Sequence, residues 1–272
     1  MTARFVLFFF LLFALFTPVT AAPSASEARI ISLVPSNTKL LFALGFGPSL
    51  VGISDFCNAP GQTASIPQVG GMELNLERIA GLHPTIIIDL NSMHKRYELL
   101  FRQMSLQYLN IEIDRLEEIP SAALRLSQEL GAADRGTSFC NEWASEYSRL
   151  TSNVQNARPR VYIEIWDTPL QAAAQESFIG QMVRLAGGEN IIGDSSSGFP
   201  VVAGEDVIKA NPGIILLAYP IDDVSRIRNR PGWSDIDAVR NNRVYKIDHD
   251  ILVRPGPRAL AGVSALSNII KY

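Results

Sequence analysis

The feature that most constrains the fold is a pattern that occurs once in each half of the chain. In both places a glutamate, Glu77 or Glu205, stands seven residues before a proline, and a short apolar run follows at residues 86–88 or 214–217. Proline ends a helix because it lacks a backbone N–H, and a short branched apolar run suits a strand covered on both faces. The repeated spacing therefore predicts a short helix and a buried strand in each half.

The two halves also begin in the same way. Apolar segments at residues 29–33 and 160–165 predict strands, and helical patterns at residues 40–44 and 179–186 follow them, each ended by a glycine. The order strand, helix, strand favours a parallel sheet, because parallel neighbours need a crossover connection. We predict an α/β fold made of two lobes, each with a mostly parallel sheet.

A longer helical pattern separates the two halves. Its apolar residues, spaced by three or four, are Phe139, Trp143, Tyr147, Leu150 and Val154. About twenty residues at 1.5 Å each span roughly 30 Å, the width of a small lobe. We predict an N-terminal lobe over residues 23–131, a single long backbone helix within residues 132–157 and a C-terminal lobe over residues 158–272. The cleft between two such lobes is a common place for a small-molecule site.

The first residues have the pattern of a secretory signal peptide. Arg4 precedes an almost unbroken apolar run at residues 5–16, and small residues follow at 20–22. The apolar run is short for a membrane span, so we predict cleavage after residue 22 and a mature protein in the periplasm. An N-terminal membrane anchor is the alternative.

The composition and motifs argue against several classes of protein. Lys and Arg number 24 against 27 Asp and Glu, a net charge of −3, which gives no electrostatic footprint for nucleic acid. The sequence contains no nucleophile elbow, no HExxH and no glycine-rich phosphate loop. We therefore expect neither an enzyme nor a nucleic-acid-binding protein.

Histidine and cysteine leave alternatives open. The chain has three histidines, too few for a convergent zinc or manganese site, so no metal and no cofactor is expected. His94 and His249 are nevertheless candidates to face the cleft from opposite lobes and to contact a haem or a metal. Cys57 and Cys140 are either two free thiols or, in an oxidising compartment, a disulfide.

Four segments carry a resemblance to a known family. Residues 29–37, 75–79, 187–191 and 254–258 resemble the helical-backbone (class III) periplasmic binding proteins of ABC importers, and within them the cobalamin-binding members. The resemblance covers essentially the whole mature chain. It implies a protein that captures a corrinoid (vitamin B12-like) ligand and delivers it to an inner-membrane permease dimer with its ATPase. We also predict that the mature protein is a monomer. Haem and iron–siderophore binders share the frame and remain alternatives, as does a periplasmic enzyme or interaction protein built on it.

The resemblance also implies ligand-binding residues on loops that face the cleft. They are Phe56, Met72, Trp166, Phe199, Asp250 and Arg254. The three aromatic residues stand at strand ends or in turns, where ligand contact is common, and large flat rings suit a macrocycle. The chain departs from the cobalamin pattern at Met72, where a tryptophan is usual, and at Ile251, where another aromatic is usual.

Glu77 and Glu205 have a second interpretation beyond helix formation. A carboxylate in the first helical turn is favoured by the helix dipole, whatever its function. The resemblance implies that these two glutamates, one in each lobe, dock onto arginines of the permease dimer.

Overall fold

A computed structural model describes residues 28–57, 61, 63–152, 158–248 and 254–271. The predicted signal peptide, residues 1–22, lies outside these ranges and stays a prediction. Within the described ranges no helix combines the length and the apolar character needed to cross a membrane.

The N-terminal lobe contains a four-stranded sheet with all neighbouring strands parallel. Its strands are β1 (Ile30–Ser32), β2 (Leu50–Ile53), β3 (Ile86–Leu90) and β4 (Gln107–Ile111), and its helices are α1 (Pro35–Ala43), α2 (Leu76–Gly81) and α3 (Glu98–Gln103). The spatial order is β2-β1-β3-β4, with Ile30 opposite both Leu50 and Ile86. Every residue of β3 is buried, as its apolar run predicts.

The C-terminal lobe contains a five-stranded sheet. Its strands are β5 (Arg160–Asp167), β6 (Leu170–Ala172), β7 (Glu189–Asn190), β8 (Ile214–Leu217) and β9 (Val244–Lys246), and its helices are α6 (Phe178–Leu185), α7 (Gly204–Ala210), α8 (Asp237–Arg240) and α9 (Ala259–Lys271). β7 and β8 flank β5 in parallel, β9 continues beside β8, and β6 is antiparallel to the end of β5.

The predicted internal repeat is confirmed as a shared topology. The order β2-β1-β3-β4 in the first lobe corresponds to β7-β5-β8-β9 in the second. In both lobes the strand after the glutamate helix pairs with the first strand, β3 with β1 and β8 with β5. Among the described residues of the first lobe no strand corresponds to the hairpin strand β6, which was not predicted from the sequence.

Alternating residues of the second sheet pack into two different cores. Val161 and Ile214 belong to a large apolar cluster that includes residues of α6 and α9 and extends into the N-terminal lobe. Tyr162 and Ile215 face the other side, in a smaller cluster with residues of α7 and α8. The sheet is therefore covered on both faces, which explains its uninterrupted apolar runs.

The long helix between the lobes is present. After α4 (Ile119–Glu129), α5 (Ala133–Thr151) packs on α4 and on α9, so it contacts both lobes. Its 19 residues span about 28 Å. Phe139, Trp143 and Leu150 of the predicted stripe pack against the core. Tyr147 is exposed, and Val154 lies outside the described residues.

The two lobes also touch each other directly, which the sequence analysis did not predict. The backbone N–H of Leu116 donates to Gln181 Oε1 of α6 at 3.0 Å, and Arg115 approaches Glu176 at 3.4 Å. The backbone at Gly256, just before α9, lies close to the Ser36 carbonyl in the first turn of α1. The lobes are thus joined by side-chain and backbone contacts as well as by α5.

Candidate functional site

The predicted ligand residues that the structure describes lie on segments at the carboxyl ends of the parallel strands. Phe56 follows β2 in the first lobe, and Trp166 stands at the end of β5 in the second. In open α/β sheets this edge is where ligands bind, because the loops there leave a crevice.

Phe56 and Met72 form an exposed apolar pair on the N-terminal lobe. Phe56 is 47% exposed and Met72 46%, high values for large apolar side chains. The Phe56 ring lies over Gly71, where an added Cβ would stand 2.9 Å from the ring. The two loops are joined because Asp55 N–H donates to the Gly70 carbonyl at 2.9 Å and Gly70 N–H donates to Asp55 Oδ1 at 3.0 Å.

A buried polar cluster lies beneath these loops. Asp89, at the end of β3, accepts hydrogen bonds from the Tyr108 hydroxyl at 2.7 Å and from the His94 backbone N–H at 2.8 Å. His94 Nδ1 lies 2.9 Å from Asp89, and Nε2 lies 3.0 Å from the Gly71 carbonyl. His94 is 1% exposed, so the alternative in which it faces the cleft as a ligand is wrong. Both ring nitrogens are occupied inside the protein.

Trp166 and Phe199 are the corresponding exposed aromatics of the C-terminal lobe. Trp166 is 48% exposed; its Nε1 donates to the Thr168 carbonyl at 3.0 Å, and its ring centre lies 6.2 Å from that of Tyr219. Phe199 is 39% exposed and lies next to Pro200, whose carbonyl accepts from Ala172 N–H at 3.0 Å. The hairpin strand β6 therefore connects the Trp166 strand to the Phe199 loop.

A charged network that was not predicted from the sequence lies beside Trp166. Glu164 in β5 is fully buried, and the Arg230 guanidinium donates a hydrogen bond to each of its two carboxylate oxygens at 2.7 Å. The Tyr219 hydroxyl donates to the same carboxylate at 2.7 Å, and burial together with this bond raises the pKa of Tyr219. A cavity of about 200 Å³ opens beside the network, lined by Asp167, Thr168, Tyr219, Ile221, Arg226 and Arg230. The signal in the sequence was a single glutamate inside the apolar run at residues 161–166.

The C-terminal segment approaches Phe56 from the other lobe. Arg254 is half-buried, and its charge acts on Cys57, the residue that follows Phe56. Burial raises the pKa of the Cys57 thiol, while the Thr38 hydrogen bond and the charge of Arg254 oppose that rise. His249, Asp250 and Ile251 lie outside the described residues, so the predicted ligand contact of Asp250 and the candidate role of His249 stay predictions.

The two cysteines are free thiols. Cys57 is buried against the Thr38 hydroxyl at 3.2 Å, and Cys140 donates to the Pro120 carbonyl at 3.3 Å. The disulfide alternative is therefore not present in the structure. Across the described parts of the chain, no group of three or more His, Cys, Asp or Glu side chains is arranged to hold a metal ion.

Glu77 and Glu205 are both exposed in the first turns of their helices, α2 and α7. The Asn75 side chain caps α2 by accepting from Arg78 N–H at 2.9 Å, whereas no side chain caps α7. The two glutamates occupy equivalent places in the repeat.

Comparison with known proteins places the chain in a family. The family model described as periplasmic binding protein matches residues 30–251. The vitamin B12-binding protein of Vibrio cholerae is 27% identical over 266 residues, which cover 95% of each chain. A solved structure of a periplasmic vitamin B12 binding protein of Vibrio cholerae has a TM-score of 0.75 at 27% identity, covering 89% of this chain and 96% of that one.

A second solved structure extends the likeness of fold. The periplasmic haem binding protein of Vibrio cholerae superposes with a TM-score of 0.83 at 18% identity, covering 90% of this chain and 99% of that one. At that identity the likeness concerns the fold alone. With its two α/β lobes and a family match that spans most of its length, the chain belongs to the periplasmic binding protein family.

Proposed function

We propose that this protein binds a corrinoid, a vitamin B12-like ligand, in the cleft between its lobes and delivers it to the permease of an ABC importer. The observation that carries the proposal is the pair of exposed apolar side chains on each lobe: Phe56 with Met72, and Trp166 with Phe199. Exposed large apolar side chains that gather on the loops at one edge of both sheets are typical of a surface that a ligand covers, whereas a single exposed one such as Leu99 is ordinary. The 27% sequence identity to a protein named for vitamin B12 binding supports a corrinoid as that ligand.

Arg254 and the cavity beside Trp166 add polar recognition to these apolar walls. A corrinoid is a flat macrocycle with amide groups at its rim, so it needs broad apolar surfaces and polar groups at the edge. The half-buried Arg254 lies near Cys57, and the Tyr219–Arg230 cavity adjoins Trp166. Both supply hydrogen-bond donors next to an apolar wall.

Calorimetry with cyanocobalamin tests the ligand. Phe56→Ala and Phe199→Ala should each weaken binding by roughly 1–3 kcal/mol, because each removes a ring that buries a large area against the ligand. Leu99→Ala is the matched control: Leu99 is 66% exposed but lies on α3, outside the proposed site, so its loss should leave the affinity unchanged.

Haemin serves as the competing probe. If haemin binds with the absorption spectrum of an axially ligated haem, and cyanocobalamin does not bind, then the ligand is a haem and the corrinoid assignment is wrong. Equal effects of Phe56→Ala and Leu99→Ala on cyanocobalamin binding would also contradict the proposed site.

We propose that Glu77 and Glu205 dock onto arginines of a permease dimer. Each is exposed, each opens a short helix, and the two belong to matching positions of the two lobes. A permease with two-fold symmetry would meet equivalent charged contacts from both lobes, and a carboxylate is a strong partner for a guanidinium. Delivery from the periplasm also requires export, which the predicted signal peptide at residues 1–22 would provide.

A further inference from the structure

The loop that carries Met72 is anchored at three successive residues to one segment of the chain. His94 Nε2 meets the Gly71 carbonyl at 3.0 Å, Arg96 donates to the Met72 carbonyl, and the Tyr97 hydroxyl donates to Glu73 at 2.8 Å. Residues 70–73 are called here the wall loop, because they hold Met72 and lie beneath the Phe56 ring. Its geometry depends on residues 94–97.

The contacts of His94 require both of its ring nitrogens to donate. A carbonyl oxygen only accepts, so Nε2 must carry a proton to bond to Gly71. The carboxylate of Asp89 is also an acceptor, so Nδ1 must carry one as well. An imidazole with a proton on each nitrogen is a cation. The two acceptors are both satisfied when the buried ring of His94 is an imidazolium paired with the Asp89 carboxylate.

The surrounding charges agree with this assignment. Burial by itself would lower the pKa of His94, but the bonds to Asp89 and Gly71 raise it above its usual value of 6.5. Arg96, on the segment that follows, opposes the rise. Burial would raise the pKa of Asp89, but the hydrogen bonds from His94 and Tyr108 hold it below its usual range.

The remaining titratable groups around the cluster come from three elements. Tyr108 on β4 donates to Asp89, and Glu98 at the start of α3 acts on Tyr108. Glu73 on the wall loop is paired with Arg96 at 2.7 Å. Neither glutamate bonds to the imidazolium, so Asp89 is its direct counter-charge.

We propose that His94, in its charged form, is a positioning residue that fixes the wall loop and thereby the apolar surface made by Phe56 and Met72. When the ring loses one proton, the other stays on Nδ1, because the carboxylate is the stronger acceptor. The lone pair of Nε2 then faces the carbonyl oxygen of Gly71, and the bond that holds the loop becomes a repulsion. Because the folded-state pKa is raised, this anchoring is complete below about pH 6.5 and is lost as the pH rises through the raised pKa.

The consequence for binding rests on the proposed function. Affinity for a corrinoid should fall by roughly tenfold between pH 6.5 and pH 9, because the wall loop is anchored in a smaller fraction of the protein molecules at the higher pH.

His94→Gln tests the role of the charge. The glutamine amide keeps a donor near the position of Nε2 but does not titrate, so cyanocobalamin affinity should become independent of pH over the same range. His83→Gln is the matched control, since His83 is exposed at the end of α2, and it should keep the wild-type pH profile.

Two measurements on the ligand-free protein separate this role from the identity of the ligand. Nitrogen NMR of the imidazole should show both ring nitrogens of His94 protonated at pH 6.5. As the pH rises, hydrogen exchange of the backbone amides of residues 71–74 should accelerate in the wild type by more than the intrinsic pH dependence of exchange. In His94→Gln this additional acceleration should be absent. A neutral ring at pH 6.5, or loop exchange with the same pH dependence in both proteins, would overturn the proposal. If cyanocobalamin fails to bind at any pH while these two results hold, then the proposed function fails and the anchoring role of His94 stands.

Discussion

Glu164 shows how a single residue organises the second lobe. It lies in the middle of β5 with no exposed surface, and its carboxylate is bound by Arg230 and Tyr219. Arg230 also stacks over the Trp233 ring at 4.6 Å, and Tyr219 packs beside Trp166. An ion pair at such a position adds little net stability compared with apolar residues, but it fixes the positions of the groups around it.

Removal of one partner of this pair should be costly. Glu164→Gln leaves the Arg230 guanidinium without its counter-charge and should lower the free energy of unfolding by about 2–4 kcal/mol. The expected loss of stability is somewhat smaller than for a fully buried ion pair, because the Arg230 side chain is 22% exposed to solvent. Urea denaturation measures the change, with Glu189→Gln on the exposed position of β7 as control. A loss no larger than that of the control would show that the ion pair does not hold the lobe together.

At the level of elements, α5 depends on a close approach to α4. Gly136 is buried on the face of α5 that meets α4, and an added Cβ there would lie 2.8 Å from the Leu124 Cα and 2.9 Å from the Ser127 Cβ. A backbone atom cannot move aside without moving its helix. The packing of the two helices, and with it the start of the connection between the lobes, therefore requires a residue without a side chain.

Gly136→Ala should destabilise the protein although alanine is the better helix former. Alanine gains up to about 1 kcal/mol over glycine in an open helix, whereas overpacking of a tight contact costs about 1–3 kcal/mol. Gly81→Ala in α2 is the control, since no heavy atom lies within 4 Å of its added Cβ. We expect a lower melting temperature for Gly136→Ala and an unchanged or higher one for Gly81→Ala. Equal melting temperatures would mean that α4 and α5 separate easily.

For the whole molecule, the repeat places one exposed glutamate at the same position in each lobe. Glu77 and Glu205 open helices that precede β3 and β8, the strands that pair with the first strand of each lobe. Neither residue lies on the loops that carry the proposed ligand contacts. The proposed docking role and the proposed binding role therefore use different residues and can be tested separately.

Charge reversal at both positions, Glu77→Lys with Glu205→Lys, should leave folding and cyanocobalamin affinity nearly unchanged. It should abolish ligand uptake and stimulation of the transporter ATPase in reconstituted vesicles, because like charges would then face each other at the permease. The control reverses two exposed carboxylates elsewhere, Glu142 on α5 and Glu189 on β7, and should retain uptake. Normal uptake by the first double variant would leave the two glutamates with a role in helix formation alone.

The local patterns of the sequence were sufficient for the elements of the internal repeat and for the long helix. Proline, glycine and the apolar runs act on their immediate neighbours, so the α2–β3 and α7–β8 units and the long α5 follow from short segments of chain. Because the order strand, helix, strand occurs in both halves of the chain, two equivalent lobes could be predicted. The exposed aromatics Phe56, Trp166 and Phe199 were also identifiable, because the resemblance marks them and they stand at strand ends or in turns, where ligand contact is common.

The contacts that build the site were decided only by the tertiary structure. Glu164 and Arg230 are 66 residues apart in sequence, and His94 reaches Gly71 across 23. The contacts of His94 come from two acceptors on different segments, Asp89 at the end of β3 and Gly71 on the wall loop, so no pattern around the residue itself reveals them. From the sequence it was a candidate to face the cleft. The approach of Arg254 to Cys57 likewise exists because distant segments meet. Local sequence determines the elements through the backbone, whereas the protonation state and the position of each site residue are set by partners that folding brings from elsewhere in the chain.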